Sequence, residues 1–484
     1  MALNAETIPM RWPAGPLDIA RGEKVKGFTA DTAEVLRKWQ DPASLAIVEG
    51  TPVNCLVVSW SADAAQQQAL KPLIDKGKQA GLDFVGLIEG EANKPAAVAA
   101  AKAAGLAAVA MDGDAPANAG IPVIPWNKGA QQHAASFPIL GVADGVFPGL
   151  PQAASQAGGP TNLPWVDSNG APLLIARAQA PDKTVWIGFD PPAQAKLAAE
   201  AYVLAVADPA SHGARWVISL DDQLRADLTA KKQPAVDTWK KLIDTVAFFE
   251  QHKELRTYQP NGLLAVMSNF AGPNWETGEE AVNLLPRLRH PFRVIPRGRA
   301  ASASFAGLQA IFYVDKEAPD AELRKKLMAF VTAGGTLFVP SKWPNPEGAT
   351  VPAESYLLFD VRKVGKGRLA VCKEDQPDAY DTVADIQNIM SHRTDLVRLY
   401  NAPSANFLYE TTAQGRGVIH LLNYSRRPGS DGPVFFVKEP HKSARLVSPE
   451  LAAPADLQWV PQEAGGAELA LPRLSVYGAI EMEK

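Results

Sequence analysis

The hydrophobic pattern of the first half of the chain alternates between two periods. Short runs of β-branched and aromatic residues are followed by longer segments in which apolar residues recur at helical spacing. Strand-like runs are centred near residues 55, 85, 108, 123, 140, 186 and 217, and residues 45–48 form a possible eighth. Strands and helices that alternate in this way predict parallel β/α units.

The clearest of these units covers residues 184–222. A strand ends at Asp190, a helix is expected over residues 193–207, and a second strand ends at Asp221 and Asp222. The carboxyl ends of parallel strands face the ligand site, so all three Asp residues are candidates for chemistry. Each is equally well placed to cap the helix that follows it, and the sequence leaves both interpretations open.

The number of strands favours a closed fold. No glycine-rich phosphate fingerprint follows the first strand, so we expect an irregular (β/α) TIM-like barrel rather than an open doubly wound sheet. We assign residues 45–258 to this barrel and residues 1–44 to a Pro-rich lead-in that contains one helix, over residues 31–39. The amphipathic stretch 223–252 should pack on the barrel exterior.

The second half of the chain predicts two further domains. Over residues 259–394, strands such as GLLAVMSNF and TLFVP alternate with helices, one of which stops at Gly334 and Gly335, which predicts a flavodoxin-like α/β domain. From residue 395 to residue 484 the period becomes strand-like, in short runs such as GVIHLLNYS and LSVYGAIEME. This spacing predicts a small all-β sandwich.

Composition excludes several classes of partner and cofactor. The 484 residues carry 48 basic and 52 acidic side chains and a net charge of −4, without a run of like charge, so nothing indicates nucleic acid. No stretch of 18 apolar residues predicts a membrane span. Two cysteines and seven histidines show no metal-type spacing, and no cofactor is expected. The start of the chain lacks a signal peptide, so the protein is either a mature secreted or periplasmic form, which we favour, or cytoplasmic.

The order of barrel, α/β domain and β-sandwich resembles that of β-galactosidase-type glycoside hydrolases. In that family a catalytic barrel precedes a glutamine-amidotransferase-like domain and a C-terminal sandwich. The segments that carry the resemblance are GLLAVMSNF, LQAIFYVDKEAPDAELRKKLMAFVTAGGTLFVPS and GVIHLLNYSRRPG, with the closing LPRLSVYGAIE. The resemblance implies a carbohydrate ligand and, through the middle domain, a possible homo-oligomer.

The catalytic motifs of that family are not matched. Its acid lies in an Asn-Glu pair after the fourth barrel strand, and no Asn-Glu dipeptide occurs in this chain. A glutaminase needs a Cys nucleophile directly after a strand, and neither Cys55 nor Cys372 is placed there. We therefore expect the middle domain to be non-catalytic.

Glycoside hydrolysis needs two carboxyl groups on either side of the scissile bond. Our best acid/base pair is Asp190 with Asp222, supported by Glu89, and Asp167 is a rival. The carboxylates expected at strand ends are Glu89, Glu91, Asp112, Asp114, Asp144, Asp190, Asp221 and Asp222.

A sugar site also needs aromatic platforms and polar side chains. We expect these from Trp60, Trp126, Trp165, Asn169 and Trp186, although core packing would equally explain each Trp. The sequence thus predicts a glycoside hydrolase or related carbohydrate-active protein. The alternative is a non-catalytic glycan-binding or structural protein on a degenerate glycosidase scaffold. The enzyme interpretation requires Asp190, Asp222 and Glu89 to converge in an open pocket.

Overall fold

The computed structural model describes residues 3–90, 93–113, 116, 118–128, 137–143, 145–150, 165–192, 194–343 and 352–484. The chain forms two compact units. The first consists of Met1–Pro148 and Ala180–Lys253, and the second of Gly149–Gln179 and Glu254–Lys484. The predicted domain boundaries at residues 44, 258 and 394 stay predictions.

The first unit is built on eight parallel strands in which each strand pairs with the next along the chain. After the eighth strand, Ile218 bridges back to Met10 in parallel, and the Arg11 amide donates to the Ile218 carbonyl at 2.8 Å. The sheet is therefore a near-closed barrel, and the predicted fold class is confirmed. The strands are β1 Pro9–Arg11, β2 Cys55–Ser59, β3 Asp83–Ile88, β4 Ala108–Met111, β5 Val123–Lys128, β6 Ile139–Ala143, β7 Thr184–Ile187 and β8 Ala214–Trp216.

The eighth strand comes from an unexpected part of the chain. Residues 45–48 were the predicted candidate, but they fall at the end of the 3-10 helix Pro42–Ile47, and this prediction is wrong. The missing strand is β1, within the segment predicted as a lead-in. Strand β1 has only three residues and begins at a proline. This run is too short to display the two-residue period of a strand, so the pattern could not identify it.

Helices follow most of the barrel strands. The helix predicted over residues 193–207 begins later, at Ala199, and ends at Ser211. The helices of the first half are α1 Pro16–Gly22, α2 Ala30–Gln40, α3 Ala64–Gln79, α4 Lys94–Ala103, α5 Gly170–Gln179, α6 Ala199–Ser211, α7 Asp222–Thr229 and α8 Gln233–Gln251. Of these, α5 belongs to the second unit.

Alternate side chains of the strands fill the barrel interior, as the strand geometry requires. These interior side chains form one buried cluster. The strand sequences are almost continuously apolar because parallel strands are buried on both faces. Its members are Leu3, Cys55, Val57, Val85, Leu87, Ala108, Ala110, Ile124, Trp126, Ile139, Trp186 and Val217.

The second unit contains a seven-stranded sheet and two antiparallel sheets. The seven-stranded sheet has the order β11-β10-β12-β13-β16-β15-β14, in which β15 is antiparallel to both of its neighbours. The two antiparallel sheets have the orders β17-β20-β24-β23 and β22-β21-β25-β19-β18-β9. This agrees with the predicted α/β domain followed by β-sandwich. The elements are β9 Gln259–Pro260, β10 Leu264–Ser268, α9 Trp275–Arg287, β11 Phe292–Pro296, β12 Ala310–Tyr313, α10 Ala321–Ala333, β13 Thr336–Val339, β14 Glu354–Ser355, β15 Phe359–Val364, β16 Gly367–Cys372, α11 Ala379–Met390, β17 Val397–Tyr400, β18 Ala405–Thr411, β19 Gly417–Asn423, β20 Val434–Val437, β21 Ser443–Val447, β22 Ala455–Leu457, β23 Val460–Pro461, β24 Ala467–Ala470 and β25 Tyr477–Glu483.

Helix α5 lies between two barrel strands in sequence but packs against α9 and β11. Arg177, near its end, donates to Glu410 of β18 at 2.7 Å; the Glu410 side chain is buried and that of Arg177 is 12% exposed. A buried ion pair of this kind fixes geometry because losing either partner would leave an uncompensated charge. No helix in the described part of the chain is long and apolar enough to cross a membrane.

Candidate active site at the barrel mouth

The carboxyl ends of the barrel strands surround a cavity of about 530 Å3. The described residues that line it all belong to the first unit. Apolar side chains from inside the barrel form the floor, and charged side chains form the rim. The floor includes Val57, Leu87, Trp126 and Val217, and the rim includes Arg11, Asp18, Arg21, Lys26, Glu89, Asp190, Asp222 and Arg225.

Two glycines make room for the Trp126 indole on the cavity floor. A Cβ atom added at Gly141 of β6 would lie 2.2 Å from the indole, and one added at Gly188 would lie 2.4 Å from it. Any other residue at these positions would displace the ring. The indole is 8% exposed and lines the cavity, which is where a sugar platform was predicted.

Arg11, at the end of β1, organises the charges of the rim. It donates to Asp18 at 2.8 Å, and the Asp18 carboxylate also accepts from the Ser59 hydroxyl at 2.6 Å and from the Ala14 amide at 2.8 Å. Burial alone would lower the pKa of the Arg11 guanidinium, but the carboxylates of Asp18, Asp190 and Glu89 raise it above its ordinary value. Arg11 is therefore a permanent cation to which two of the predicted acids are close.

Glu89 follows β3 and is held from one side. Arg21 of α1 donates to its carboxylate at 3.1 Å and to its backbone carbonyl at 3.1 Å, and the same guanidinium donates to Ser59 at 3.0 Å. The Glu89 side chain is 50% exposed. Its carboxylate is thus oriented by Arg21 while it remains open to the cavity.

Asp190 follows β7 and does not cap a helix. The next helix, α6, begins nine residues later with Ala198 at its N-cap. The Asp190 side chain accepts one hydrogen bond, from the Ser219 hydroxyl at 2.6 Å. Its other carboxylate oxygen has no hydrogen-bond partner within the described ranges. Asp190 is exposed and lines the cavity, so this oxygen is available to a ligand.

The two acids after β8 differ from Asp190. Asp221 is buried and caps α7: its carboxylate accepts from the Leu224 amide at 2.7 Å and from the Tyr202 hydroxyl at 2.8 Å. For Asp221 the capping interpretation is therefore correct. Asp222 lines the cavity but forms an ion pair with Arg225 one helical turn later.

The remaining candidate site residues are not among the described residues that line the cavity. Trp60 and Trp186 are each 1% exposed and are not among the residues that line the cavity; the Trp60 indole donates to the Ala97 carbonyl at 3.1 Å. Trp165 and Asn169 belong to the second unit. The carboxylate of Asp112 pairs with Lys94 at 2.7 Å, which lowers its pKa.

Three predicted carboxylates lie outside the described residues, namely Glu91, Asp114 and Asp144. Arg11, Asp18 and Arg21 were not predicted from the sequence, because they lie within residues 1–44, which were interpreted as a lead-in. The only available signal was the short apolar run beside Arg11 (IPMRW), which the prolines obscured.

Neither cysteine is a nucleophile in this structure. Both are buried, and burial raises the pKa of each thiol, so the reactive thiolate is disfavoured. The prediction that the middle domain lacks a glutaminase centre rests on the same residues and stays a prediction.

Comparison with known proteins supports a likeness of fold. No family model matches the sequence, and neither does any curated protein. Among solved structures, α-L-fucosidase isoenzyme 2 from Paenibacillus thiaminolyticus has a TM-score of 0.58 at 10% identity, over 99% of this chain and 100% of that one.

Two other solved structures are similar at lower scores. The β-galactosidase from Bacillus circulans sp. alkalophilus has a TM-score of 0.45 at 11% identity, over 93% of this chain and 68% of that one. The rhamnosidase from Novosphingobium sp. PP1Y has a TM-score of 0.47 at 12% identity, over 87% of this chain and 40% of that one. The resemblance to barrel glycoside hydrolases is confirmed. At these identities it concerns the fold, and the activity must be argued from the site.

Proposed function

We propose that the protein is a glycoside hydrolase that binds a sugar in the cavity at the barrel mouth. The observation that carries the proposal is that Asp190 and Glu89 line the same cavity as Arg11 and the Trp126 indole, and both carboxylates raise the pKa of Arg11. A carboxylate pair beside an aromatic platform is what glycosidic bond cleavage requires. The full-length likeness to a fucosidase is consistent with this class of reaction.

The three acids would have different roles. Asp190 has a carboxylate oxygen that accepts no hydrogen bond from the described residues, which suits it to act on the sugar as nucleophile or base. Glu89 is the better placed partner, because Arg21 orients its carboxylate while half of the side chain stays exposed. Asp222 is neutralised by Arg225, so we assign it to substrate positioning.

A second candidate function is glycan binding without catalysis. The dense pairing of the rim charges favours it, because Arg11, Arg21 and Arg225 each neutralise a carboxylate on the cavity wall. In this alternative the cavity binds a sugar through Trp126 and the paired side chains, and the acids only accept hydroxyl hydrogen bonds.

The test is a screen of the full chain against aryl fucosides, galactosides, rhamnosides and mannosides, with NMR detection of the first anomer released. The proposal predicts turnover of at least one substrate with a single stereochemical outcome, either retention or inversion. Binding of a sugar at the cavity without any turnover would favour the second candidate. A secreted or periplasmic location is part of the proposal, because polysaccharide substrates are met there.

A further inference from the structure

Trp165 differs from every other tryptophan in the chain. All 11 tryptophans lie in described residues, and Trp165 is the one with an exposed side chain, at 40%. Exposure of so large an apolar ring is costly, and it commonly marks a contact surface. Trp165 was predicted as a sugar platform of the barrel, but it belongs to the second unit.

The Trp165 ring is backed by a cation. The guanidinium carbon of Arg287, the last residue of α9, lies 3.8 Å from the ring centroid. Arg287 is in turn held by Asn283, to which it donates at 3.3 Å. Arg287 covers one face of the ring, and 40% of the side chain remains exposed. The indole is thus a platform backed by a cation.

The Asp167 carboxylate lies close to this platform. The backbone amide and carbonyl of Asp167 both form hydrogen bonds with Gly149. These bonds fix the main chain at Asp167, which comes two residues after Trp165 in the sequence. Its half-buried carboxylate accepts no hydrogen bond from the described residues. Burial raises the pKa of Asp167, and the nearby Arg287 opposes this. A half-buried acceptor that lacks donors is uncommon, because burial removes its water without replacing it.

We propose that Trp165, Asp167 and Arg287 form a binding site for a neutral hexopyranose, separate from the barrel cavity in its residues. The C–H face of a pyranose would stack on the open face of Trp165, and its hydroxyls would donate to Asp167. A neutral sugar fits better than an acidic one, because the carboxylates of Asp167 and Glu280 outnumber the Arg287 cation here. The site holds a glycan and takes no part in cleavage.

The experiment uses the full chain with Asp190→Asn, so that a ligand is not consumed. Retardation in native gels containing soluble β-mannan, galactan or hydroxyethylcellulose is measured before and after adding Trp165→Ala. Tyr400→Ala is the matched control, because Tyr400 is also a 40% exposed aromatic residue of the second unit. Thermal melting establishes that each variant folds.

The proposal predicts that Trp165→Ala weakens binding to at least one polysaccharide about tenfold, which corresponds to one stacking contact. Trp165→Phe should restore part of the affinity, and Tyr400→Ala should change nothing. Binding that is unchanged by Trp165→Ala, or lost equally with Tyr400→Ala, would overturn it, as would the absence of retardation by any of the three polysaccharides. Failure of the proposed function is distinguishable, because the wild-type chain would then hydrolyse no glycoside while Trp165-dependent retardation persisted.

Discussion

Glu89 is the residue at which orientation and exposure are best combined. Its carboxylate lies 3.1 Å from the Arg21 guanidinium, yet half of the side chain is exposed. An ion pair in such a position contributes at most about 1 kcal/mol to stability, because solvent screens it. Replacing Glu89 should therefore change stability little, so an effect on turnover can be assigned to chemistry.

We predict that Glu89→Gln lowers turnover at least about a hundredfold, the usual contribution of a general acid or base, while the unfolding midpoint changes little. The matched control is Glu34→Gln, which breaks the exposed ion pair with Arg37, also 3.1 Å long. The control should match the wild type in turnover and resemble Glu89→Gln in stability. Equal turnover of all three proteins would remove Glu89 from the mechanism.

At the scale of elements, helix α7 depends on its buried cap. Both carboxylate oxygens of Asp221 are used: one accepts from the Leu224 amide and the other from the Tyr202 hydroxyl and the Leu197 amide, at 3.1 Å. The adjacent Asp222 makes none of these contacts. Position after a strand therefore does not by itself distinguish an acid that caps from one that faces a ligand.

Removing this cap should lower the free energy of unfolding. Asp221→Ala leaves three donors unpaired, and we predict a loss of at least about 2 kcal/mol in the free energy of unfolding of the first unit. The exposed cap Asp63, which bonds the Ala65 amide at the start of α3, is the comparison. Asp63→Ala should cost about 1 kcal/mol or less in the same urea titration. Equal losses of unfolding free energy in Asp221→Ala and Asp63→Ala would contradict the prediction that the buried cap stabilises the first unit more than the exposed one.

Elements with a long periodic pattern could be predicted from the sequence, and short ones could not. Helix α2 spans Ala30–Gln40, within one residue of its predicted bounds at each end, residues 31–39, because its 11 residues display the helical period. Strand β1 has three residues and was missed, and with it Arg11, a cation of the cavity rim whose pKa is raised by two of the acids. Trp60 and Trp186 could not be separated from Trp126 by sequence, since all three lie on or after barrel strands and only three-dimensional packing decides which reaches the cavity.

At the scale of the whole molecule, acid should weaken the second unit through His290. This side chain is 7% exposed and neither ring nitrogen has a hydrogen-bond partner in the described part of the chain. Burial lowers its pKa to about 4, with the nearby Asp395 opposing this and His392 adding to it. The unfolded chain takes up the proton near pH 6.5, and the folded chain only near pH 4, so protonation favours unfolding between these values.

The free energy of unfolding should therefore fall by on the order of 3 kcal/mol as the pH decreases from about 6.5 to about 4, beyond the loss due to other groups. His290→Leu should remove this part of the pH dependence, whereas His441→Leu, at a partly exposed histidine of the same unit, should keep it. Urea titrations across the pH range measure both. An unchanged slope in His290→Leu would show that His290 does not titrate as described.

The most direct test of a catalytic cavity compares Asp190→Asn with Asp222→Asn on a glycoside that the wild type cleaves. Both acids line the cavity, but one carboxylate oxygen of Asp190 accepts no hydrogen bond from the described residues, whereas Asp222 is paired with Arg225. We predict that Asp190→Asn reduces kcat at least about a thousandfold with an unchanged melting temperature, and that Asp222→Asn mainly raises KM. Full activity of Asp190→Asn would contradict the account and leave the cavity as a sugar-binding site.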